Sequence, residues 1–276
     1  MSIITLTTDF GLKDHFVGSL KGNILNDYNG AQIVDISHLI DPFNTAEASY
    51  IIKAAYTNFP KGSVHLIGVT AEKTKLNQHL AALWNDHYFI CADNGILSLL
   101  FQNTKPEKLV SISIHDRFPE DCTDIQVLSK VAIHIAKGGS LSVIGKEITE
   151  IKDVFQLKPT VSPDLKSIIG CVIYSDHFGN VVTNISKKMF LENYKNRNYL
   201  VRFKNKEIKT ILNKYSDFET NNEKKNQDLV GTKIAIFNEV GYLEIAVYKS
   251  NPNRSGSATS LFGLEYRDAV VIEFKD

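Results

Sequence analysis

An acidic residue stands directly after the first strongly apolar segment of the chain. The residues Ile3-Ile4-Thr5-Leu6-Thr7-Thr8 are apolar or β-branched, which predicts a buried strand, and Asp9 follows at its end. In proteins built on parallel sheets, ligands bind at the edge formed by the carboxyl ends of the strands. A carboxylate at that edge can accept charge-assisted hydrogen bonds from both hydroxyls of a ribose. The alternative is that Asp9 caps the next helix, and spacing alone favours neither role.

The elements around this strand alternate between strands and helices over the first half of the chain. Helical spacing is found in three segments, 15–25, 45–55 and about 124–136, and Thr45 is the expected N-cap of the second. Further strands are predicted at residues 33–36, 63–69 and 88–92. This order is typical of an α/β domain with a Rossmann-like, mostly parallel sheet covered on both faces.

Short strand candidates separated by turn residues dominate the second half. They are residues 168–174, 181–185, 199–203, 208–212, 233–237, 243–247 and 269–274, with no long amphipathic helix among them. They predict a small antiparallel barrel or sandwich, in which the polar run 219–228 is an exposed loop, and we take the β-barrel as the expected fold. Pro159 and Pro163 interrupt the periodicity before the first of these strands, as a connector does. We predict an α/β domain over 1–152, a linker over 153–167 and a β-barrel domain over 168–276.

The composition of the chain limits which partners, metals and cellular compartments are expected. Lys and Arg (31) balance Asp and Glu (31), so neither nucleic acid nor an anionic membrane is expected as a partner. No apolar stretch approaches the roughly 20 residues that span a bilayer, and the N-terminus lacks the pattern of a signal peptide. The three cysteines have no Cys-x-x-Cys spacing and the histidines form no metal-binding pattern, so no metal is expected. A reducing cytoplasm fits these features best.

Several ordered blocks of the sequence resemble one known family. They are Thr7-Thr8-Asp9-Phe10-Gly11-Leu12-Lys13-Asp14, Lys21-Gly22, Val34-Asp35-Ile36-Ser37-His38, Phe59-Pro60-Lys61-Gly62, Asp93-Asn94-Gly95-Ile96-Leu97-Ser98, and the segments 176–185 and 241–246. Each block is weak alone, but together they are specific. The chain is similar to the S-adenosyl-L-methionine (SAM) hydroxide adenosyltransferases, or adenosine-forming SAM hydrolases, which share ancestry with fluorinases and chlorinases. The resemblance implies conversion of SAM and water to adenosine and methionine without a cofactor, in a homotrimer whose sites lie between subunits.

The resemblance also implies a set of ligand-facing residues in each domain. In the first domain it assigns the ribose to Asp9, the methionine end to Asp14 and the cover of the ligand to Phe43. In the second domain it assigns the adenosine to Phe178 and Asn180, the amino acid end to Asp176, one face of adenine to Tyr215, and further lining to Asn238, Glu239 and Tyr242.

These assignments agree with what a bound nucleoside needs, although each residue type has a simpler interpretation. A buried adenine requires stacking surface and amide partners, and the second-domain set contains both. Asp14 could instead be a charge at a helix N-terminus, and Phe43 could belong to the core. For the second-domain residues the alternative is that they are ordinary turn and half-buried strand positions.

The sequence departs from the family at the residues that position the attacking water. Family hydrolases use an Asp, an Arg and a His, and registering this chain by the neighbouring strands and helix places Thr70, Asn77 and Thr123 at those three positions. Each of them can hydrogen-bond a water, but none is a competent base near pH 7. The same loop also contains Glu72, Lys73, Lys75 and His79, which could substitute. A solvated face is the simpler interpretation of these four.

Two functions therefore stay open from the sequence. Displacement at the ribose C5′ expels methionine as a neutral thioether, so placement of water is the main requirement and a replaced triad is compatible with a slow hydrolase. The alternative is a SAM- or adenosine-binding protein with little turnover, acting as a sensor or scaffold. A halide nucleophile is disfavoured because residues 83–87 leave no room for the extra loop of the fluorinases. A methyltransferase is disfavoured because no Gly-x-Gly-x-x-Gly follows the first strand.

Overall fold

A computed structural model describes residues 3–102, 104–220 and 229–275 of the 276-residue chain. The chain divides into two compact units, the first ending at Phe155 and the second beginning at Gln156. Most of the loop predicted at 219–228 lies outside the described residues. No helix in the described ranges is long and apolar enough to cross a membrane.

The first unit is a seven-stranded sheet with helices on both faces. Its strands are β1 (Ile3–Thr8), β2 (Gln32–Ser37), β3 (Val64–Gly68), β4 (His79–Trp84), β5 (His87–Ala92), β6 (Lys108–Ile112) and β7 (Gly145–Glu147). Its helices are α1 (Phe16–Asp27), α2 (Thr45–Ala55), α3 (Ile96–Phe101), α4 (Asp124–Ala136) and α5 (Leu141–Ile144), with single 3₁₀ turns at Tyr56–Asn58 and His115–Arg117. The spatial order of the strands is β2-β1-β3-β5-β4-β6-β7.

The direction of the strands confirms the mostly parallel core of the sheet. Strands β2, β1, β3 and β5 are parallel to one another, whereas β4, β6 and β7 pair antiparallel. None of these last three strands was predicted, nor was helix α3. Because β4 runs against β5, its first residue His79 lies opposite Ala92 at the end of β5. His79 is therefore at the same edge as the carboxyl ends of the parallel strands.

Each face of this sheet is buried under its own pair of helices. Leu66 packs in a cluster with residues of α1 and α4, and its neighbour Ile67 packs in the opposite cluster with residues of α2 and α3. Alternation of side chains along a strand produces this division. Strands that are buried on both faces have nearly continuous apolar sequences. For this reason β1 and β3 could be predicted from the sequence.

The helix ends show one agreement and one correction. Helix α4 spans the residues predicted for it, and it is followed by Gly138 in the left-handed region (φ 88°), which any residue with a side chain adopts less readily. The predicted N-cap at Thr45 is wrong, because Thr45 is the first residue of α2 and Asn44 is the cap. The Asn44 side chain accepts a hydrogen bond from the Glu47 backbone N–H.

The second unit confirms the predicted antiparallel barrel. Its strands are β8 (Thr160–Val161), β9 (Ser167–Ser175), β10 (Val181–Ser186), β11 (Asn198–Phe203), β12 (Lys206–Ile208), β13 (Ile211–Leu212), β14 (Lys233–Phe237), β15 (Tyr242–Val247) and β16 (Ala269–Lys275). Its helices are α6 (Lys187–Tyr194), α7 (Asp217–Thr220) and α8 (Ala258–Phe262). The order β12-β11-β16-β9-β10-β15-β14-β13, with β8 beside β9, forms a nearly closed antiparallel sheet in which β13 and β14 pair in parallel.

Three details of this unit differ from the expected pattern. The single strand predicted at 208–212 is broken, since β12 ends at Ile208 and β13 begins at Ile211. Helix α6 was not predicted; it begins at a Ser186 N-cap, whose side chain accepts from the Met189 backbone N–H. The short strand β8 lies within the segment predicted as a linker.

Candidate functional site

Asp9 lies at the carboxyl edge of the sheet, immediately after β1. One of its carboxylate oxygens, Oδ2, accepts a hydrogen bond from the Phe43 backbone N–H at 3.0 Å. Asp9 does not cap helix α1, whose N-cap is His15, without a side-chain cap bond. The helix-cap alternative is therefore wrong. Oδ1 of Asp9 has no hydrogen-bond partner within the described residues, which leaves it available to a ligand at this edge.

The loop that contacts Asp9 presents an aromatic side chain to solvent. Phe43 has a left-handed backbone (φ 66°), which is uncommon for a residue with a bulky side chain, and its side chain is 71% exposed. The core interpretation of Phe43 is therefore wrong. Asp14 is also exposed, in the turn before α1 rather than in its first helical turn. Contact of either side chain with a ligand stays a prediction.

Thr70, the first of the three replaced positions, occupies a strained loop at the same edge. Its backbone has φ 47°, which is an outlier for a β-branched residue and costs about 1–3 kcal/mol. Its Oγ1 is buried without a partner among the described residues. Asn94, just after the neighbouring strand β5, holds the loop by donating from Nδ2 to the carbonyl oxygens of Val69 at 2.8 Å and Thr70 at 3.2 Å. Such unpaired, strained positions are typical of functional sites.

The other two replaced positions already have partners for their side chains. The Asn77 Oδ1 accepts a hydrogen bond from Lys152 Nζ at 3.1 Å. Thr123 is the N-cap of α4 in a capping box with Gln126, whose Oε1 accepts from the Thr123 backbone N–H at 2.8 Å and from its hydroxyl at 3.1 Å. These contacts stabilise the loop and the helix start. A chemical role for Asn77 or Thr123 stays a prediction.

A pair of histidines lies beside these positions. His79, at the start of β4, is fully buried, so the solvated-face interpretation is wrong for it, whereas Glu72, Lys73 and Lys75 are exposed as that interpretation predicts. The His79 Nε2 is 2.9 Å from the Ala71 carbonyl oxygen, and its Nδ1 is 2.9 Å from the Nε2 of His115.

Burial favours the neutral form of both histidines of this pair. Burial lowers the pKa of His79. Burial, followed by the nearby positive charge of Lys73, lowers the pKa of His115 to about 4. Asp124 Oδ1 lies 3.6 Å from His79 Nε2, and Asp124 Oδ2 accepts from the Lys73 backbone N–H at 3.0 Å. We define these three side chains, His79, His115 and Asp124, as the histidine cluster.

The second unit brings together most of the residues implied to face adenosine. At the turn between β9 and β10, Asp176 accepts from the Asn180 backbone N–H at 2.8 Å (Oδ1) and from Asn180 Nδ2 at 3.0 Å (Oδ2). Asn180 Nδ2 also lies 3.2 Å from the hydroxyl of Tyr215, which donates to Glu244 Oε1 at 2.8 Å. Phe178, at the tip of the turn, is 64% exposed. The turn thus carries an exposed ring and an amide that Asp176 and Tyr215 hold in place.

Glu244 anchors this network from strand β15. It is only 7% exposed, and burial raises the pKa of its carboxyl. Burial and the adjacent Glu244 also raise the pKa of Tyr215. Tyr215 therefore stays a neutral phenol and donates a hydrogen bond to the Glu244 carboxylate. The hairpin before β15 is closed by Asn238, whose Oδ1 accepts from the Tyr242 backbone N–H at 3.0 Å, and Glu239 is exposed at its turn.

Four residues of these arrangements, Asn94, His115, Asp124 and Glu244, were not identified as site residues from the sequence. Asn94 and Glu244 lie in blocks that carry the family resemblance, so their position could have indicated them. His115 lies in a stretch without such a block, and no sequence signal places it against His79, 36 residues earlier.

Comparison with known proteins places both units in one family. Residues 4–145 match the N-terminal domain of the SAM hydroxide adenosyltransferases, and residues 170–271 match the C-terminal domain. A protein named (R)-S-adenosyl-L-methionine hydrolase from Methanocaldococcus jannaschii is 30% identical over 99% of this chain and 96% of its own length. A fluorinase of Actinopolyspora mzabensis is 25% identical, covering 67% of this chain and 72% of its own.

A solved structure has the same fold over the whole chain. The crystal structure of a conserved protein from Thermotoga maritima matches with a TM-score of 0.83 and 26% identity, covering 98% of this chain and 99% of that one. The sequence blocks, both domain matches and the relative that is similar over nearly the full length agree. The chain therefore belongs to the SAM hydroxide adenosyltransferase family.

Proposed function

We propose that this protein hydrolyses SAM to adenosine and methionine. The observation that carries the proposal is Asp9: a carboxylate at the carboxyl edge of the central strands, held by the Phe43 loop through one oxygen and open to a ligand at the other. A ribose with two adjacent hydroxyls suits such a group, since hydrogen bonds to a charged acceptor are worth about 1.5–3 kcal/mol. Family membership and the name of the full-length relative support the same reaction.

The reaction makes modest chemical demands on the protein. Water attacks C5′ of the ribose, the C5′–S bond breaks, and its electron pair neutralises the sulfonium so that methionine leaves as a thioether. The leaving group needs no proton and the step needs no redox partner, so we propose that no cofactor or metal takes part. The protein must hold water in line with the C5′–S bond and keep bulk solvent away. The proton of the water must still be accepted by some group.

The second unit supports recognition of the adenosine. The exposed ring of Phe178 and the phenol of Tyr215 provide stacking surface, and the amide of Asn180 is held in place by Asp176 and Tyr215. A rigid amide distinguishes the donor and acceptor edges of adenine better than a mobile one does. We propose that Asp176 binds the ammonium of the methionine part, because the carboxylate carries the matching charge.

We also propose that the protein is a homotrimer in the cytoplasm. Large apolar side chains are exposed in the loops at the carboxyl edge of the first unit, namely Leu12, Leu39, Phe43 and Leu76. Such patches are typical of surfaces covered by a partner or ligand. Light scattering on the purified protein tests the trimer, and a mass of one 30.9 kDa chain would refute it. Cys91, Cys122 and Cys171 are all free, as is usual in a reducing compartment.

One observation favours a second candidate, a SAM- or adenosine-binding protein with little turnover. The Asp, Arg and His of family hydrolases are replaced by Thr70, Asn77 and Thr123, and the last two are engaged with Lys152 and Gln126. A protein that keeps the ligand-facing groups but lacks a proton acceptor would bind SAM and release it unchanged.

The experiment that separates the two candidates measures binding and turnover on the same sample. Purified protein is incubated with SAM, adenosine and methionine are quantified by chromatography, and SAM affinity is measured by calorimetry. We expect equimolar adenosine and methionine. Binding without adenosine would establish the second candidate instead. A parallel incubation with fluoride or chloride, analysed for 5′-deoxy-5′-haloadenosine, tests whether water is the nucleophile.

A further inference from the structure

We propose that His115, oriented by His79, is the proton acceptor for the attacking water. The inference rests on the proposed SAM hydrolysis and assigns the task that the replaced triad leaves open. His115 would contact the water itself, and His79 would be a positioning residue that acts through His115. Four observations carry the assignment: the hydrogen-bond directions in the pair, an unpartnered buried nitrogen, the location of the cluster, and a second histidine pair that lacks these features.

The hydrogen bonds fix which ring nitrogens carry protons. The Ala71 carbonyl oxygen can only accept, so the His79 Nε2 at 2.9 Å from it must carry a hydrogen. Neutral His79 then has a bare Nδ1, which accepts from the His115 Nε2–H at 2.9 Å. Neutral His115 in turn has its hydrogen on Nε2 and a bare Nδ1. His115 therefore donates to His79, and His79 donates to the backbone carbonyl of Ala71. The lone pair on His115 Nδ1 stays open.

That lone pair has no partner within the part of the chain that the structure describes. The Nδ1 of His115 is buried and makes no hydrogen bond there, and the same is true of the Thr70 Oγ1. A buried acceptor without a partner is costly, by about 1–3 kcal/mol, unless a water or ligand satisfies it. A water is the natural partner of a bare imidazole nitrogen at such a place.

The cluster lies at the same edge of the sheet as the three replaced positions. Ala71 follows Thr70 on the loop after β3, His79 starts β4 at the carboxyl edge of the sheet, and Asp124 is the first residue of α4. Two replaced positions, Thr70 and Asn77, therefore lie on the loop that carries the contact partner of His79, and the third precedes Asp124. The histidine cluster therefore contacts the same loop and helix start that contain the three replaced residues.

The proton can be transferred without a strong base. As the C5′–O bond forms, the water oxygen becomes positively charged and far more acidic than an imidazolium. The His115 Nδ1 accepts this proton, the C5′–S electron pair goes to sulfur, and the imidazolium later releases the proton to solvent. Asp124, near His79 Nε2, favours the transient positive charge on the pair. General-base assistance of this kind contributes about 10²–10⁴-fold.

A second histidine pair in the same unit serves as an internal comparison. His65 uses both ring nitrogens, since its Nδ1 is 2.7 Å from Thr5 Oγ1 and its Nε2 is 3.2 Å from His87 Nδ1. His87 starts β5, a strand parallel to β1, and so lies at the opposite edge from Asp9. This pair is buried, but no nitrogen of His65 or His87 is among the buried atoms that lack a hydrogen-bond partner in the described residues. His87→Gln is therefore a matched control.

The decisive variant is His115→Gln, which can keep a donor to His79 but lacks an acceptor at the place of Nδ1. We expect the kcat for adenosine formation to fall about 10²–10⁴-fold while the Kd for SAM stays within about twofold of wild type. Added imidazole should restore part of the kcat of His115→Ala, which a purely structural defect would not allow. His87→Gln should retain wild-type kcat. A His115→Gln protein with wild-type kcat, or His115→Ala without imidazole rescue, would overturn the proposal.

The pH profile tests the positioning role of His79. Lys73, His79, Asp116 and Asp124 act electrostatically on His115. The wild-type kcat should decline as pH falls toward about 4, where His115 becomes protonated. In His79→Gln we expect a lower kcat and a displaced acid limb, whereas an unchanged profile would remove His79 from the mechanism.

Failure of this inference and failure of the proposed function give different results. If the wild-type protein binds SAM and releases no adenosine at any pH, the proposed function is wrong. If the wild-type protein forms adenosine and His115→Gln does so equally well, only the role of His115 is wrong.

Discussion

Replacing Asp9 tests the ribose contact directly, and two substitutions separate its two roles. The carboxylate accepts the Phe43 backbone N–H through Oδ2 and leaves Oδ1 open. Asp9→Asn can keep the bond to Phe43 through its carbonyl oxygen while losing the charge and one acceptor. Asp9→Ala loses both the bond to Phe43 and the acceptor that is open to a ligand. The folded state should therefore be unaffected in the asparagine variant and weakened by about 1 kcal/mol in the alanine variant, as measured by urea unfolding.

The magnitude of the binding defect follows from the number of open acceptors. With one oxygen already occupied, Asp9 gains one or two charged hydrogen bonds from ribose hydroxyls. Loss of a charged bond costs about 1.5–3 kcal/mol, so the Kd for adenosine should rise about 10- to 150-fold in Asp9→Asn. Calorimetry with adenosine and with 2′-deoxyadenosine forms a double-mutant cycle between the carboxylate and one hydroxyl. The variant should lose less affinity for the deoxy ligand than for adenosine.

A second carboxylate provides the control. Asp93 also follows a buried strand, β5, and its Oδ1 accepts a backbone N–H, that of Lys152, at 2.9 Å. Asp93→Asn therefore makes the same chemical change in a similar contact and should bind adenosine as wild type does. Equal affinity of wild type and Asp9→Asn for adenosine, or an equal loss in Asp9→Asn for both nucleosides, would refute the ribose contact.

Three further predictions concern the adenine surface, the α4 cap and the acid stability. Phe178→Ala should raise the Kd for adenosine about 3- to 10-fold through loss of stacking, whereas alanine at the exposed Phe155 should not, as measured by calorimetry. Thr123→Ala should lower the free energy of unfolding by about 1 kcal/mol in urea, because it removes one side of the capping box. Burial lowers the pKa of His65 to about 3, so below about pH 6.5 the unfolded chain binds a proton that the folded chain does not. Stability should therefore fall toward acid pH by up to about 1.4 kcal/mol per pH unit from this residue, and His65→Gln should flatten the decline.

The parts of the fold that could be predicted are those with strong local signals. The β-branched run of β1 is buried on both faces, and α4 has an amphipathic pattern followed by Gly138. Strand β4 was missed because His79-Leu80-Ala81-Ala82-Leu83-Trp84 is a short apolar run, which periodicity cannot distinguish from a buried helix. The N-cap of α2 was placed one residue late, since Asn44 and Thr45 are both good caps and only the backbone geometry distinguishes them.

The site was predictable where the resemblance reached it and hidden where distant residues meet. Asp176 and Asn180 lie four residues apart in one turn, so their contact follows from the local sequence. The network continues through Tyr215 to Glu244, 29 residues further on, by a contact that depends on how β15 pairs. The bond between His79 and His115 likewise depends on the pairing of β4 with β6. Such contacts come from tertiary structure and leave no local pattern.

Isotopic labelling tests the central claim most directly. The protein is incubated with SAM in H₂¹⁸O, and the adenosine is analysed by mass spectrometry together with the methionine released. Hydrolysis at C5′ predicts equimolar products with one ¹⁸O atom in the 5′-hydroxyl of adenosine and none in methionine. SAM recovered intact from a protein that binds it, or adenosine without the label, would contradict the proposed reaction.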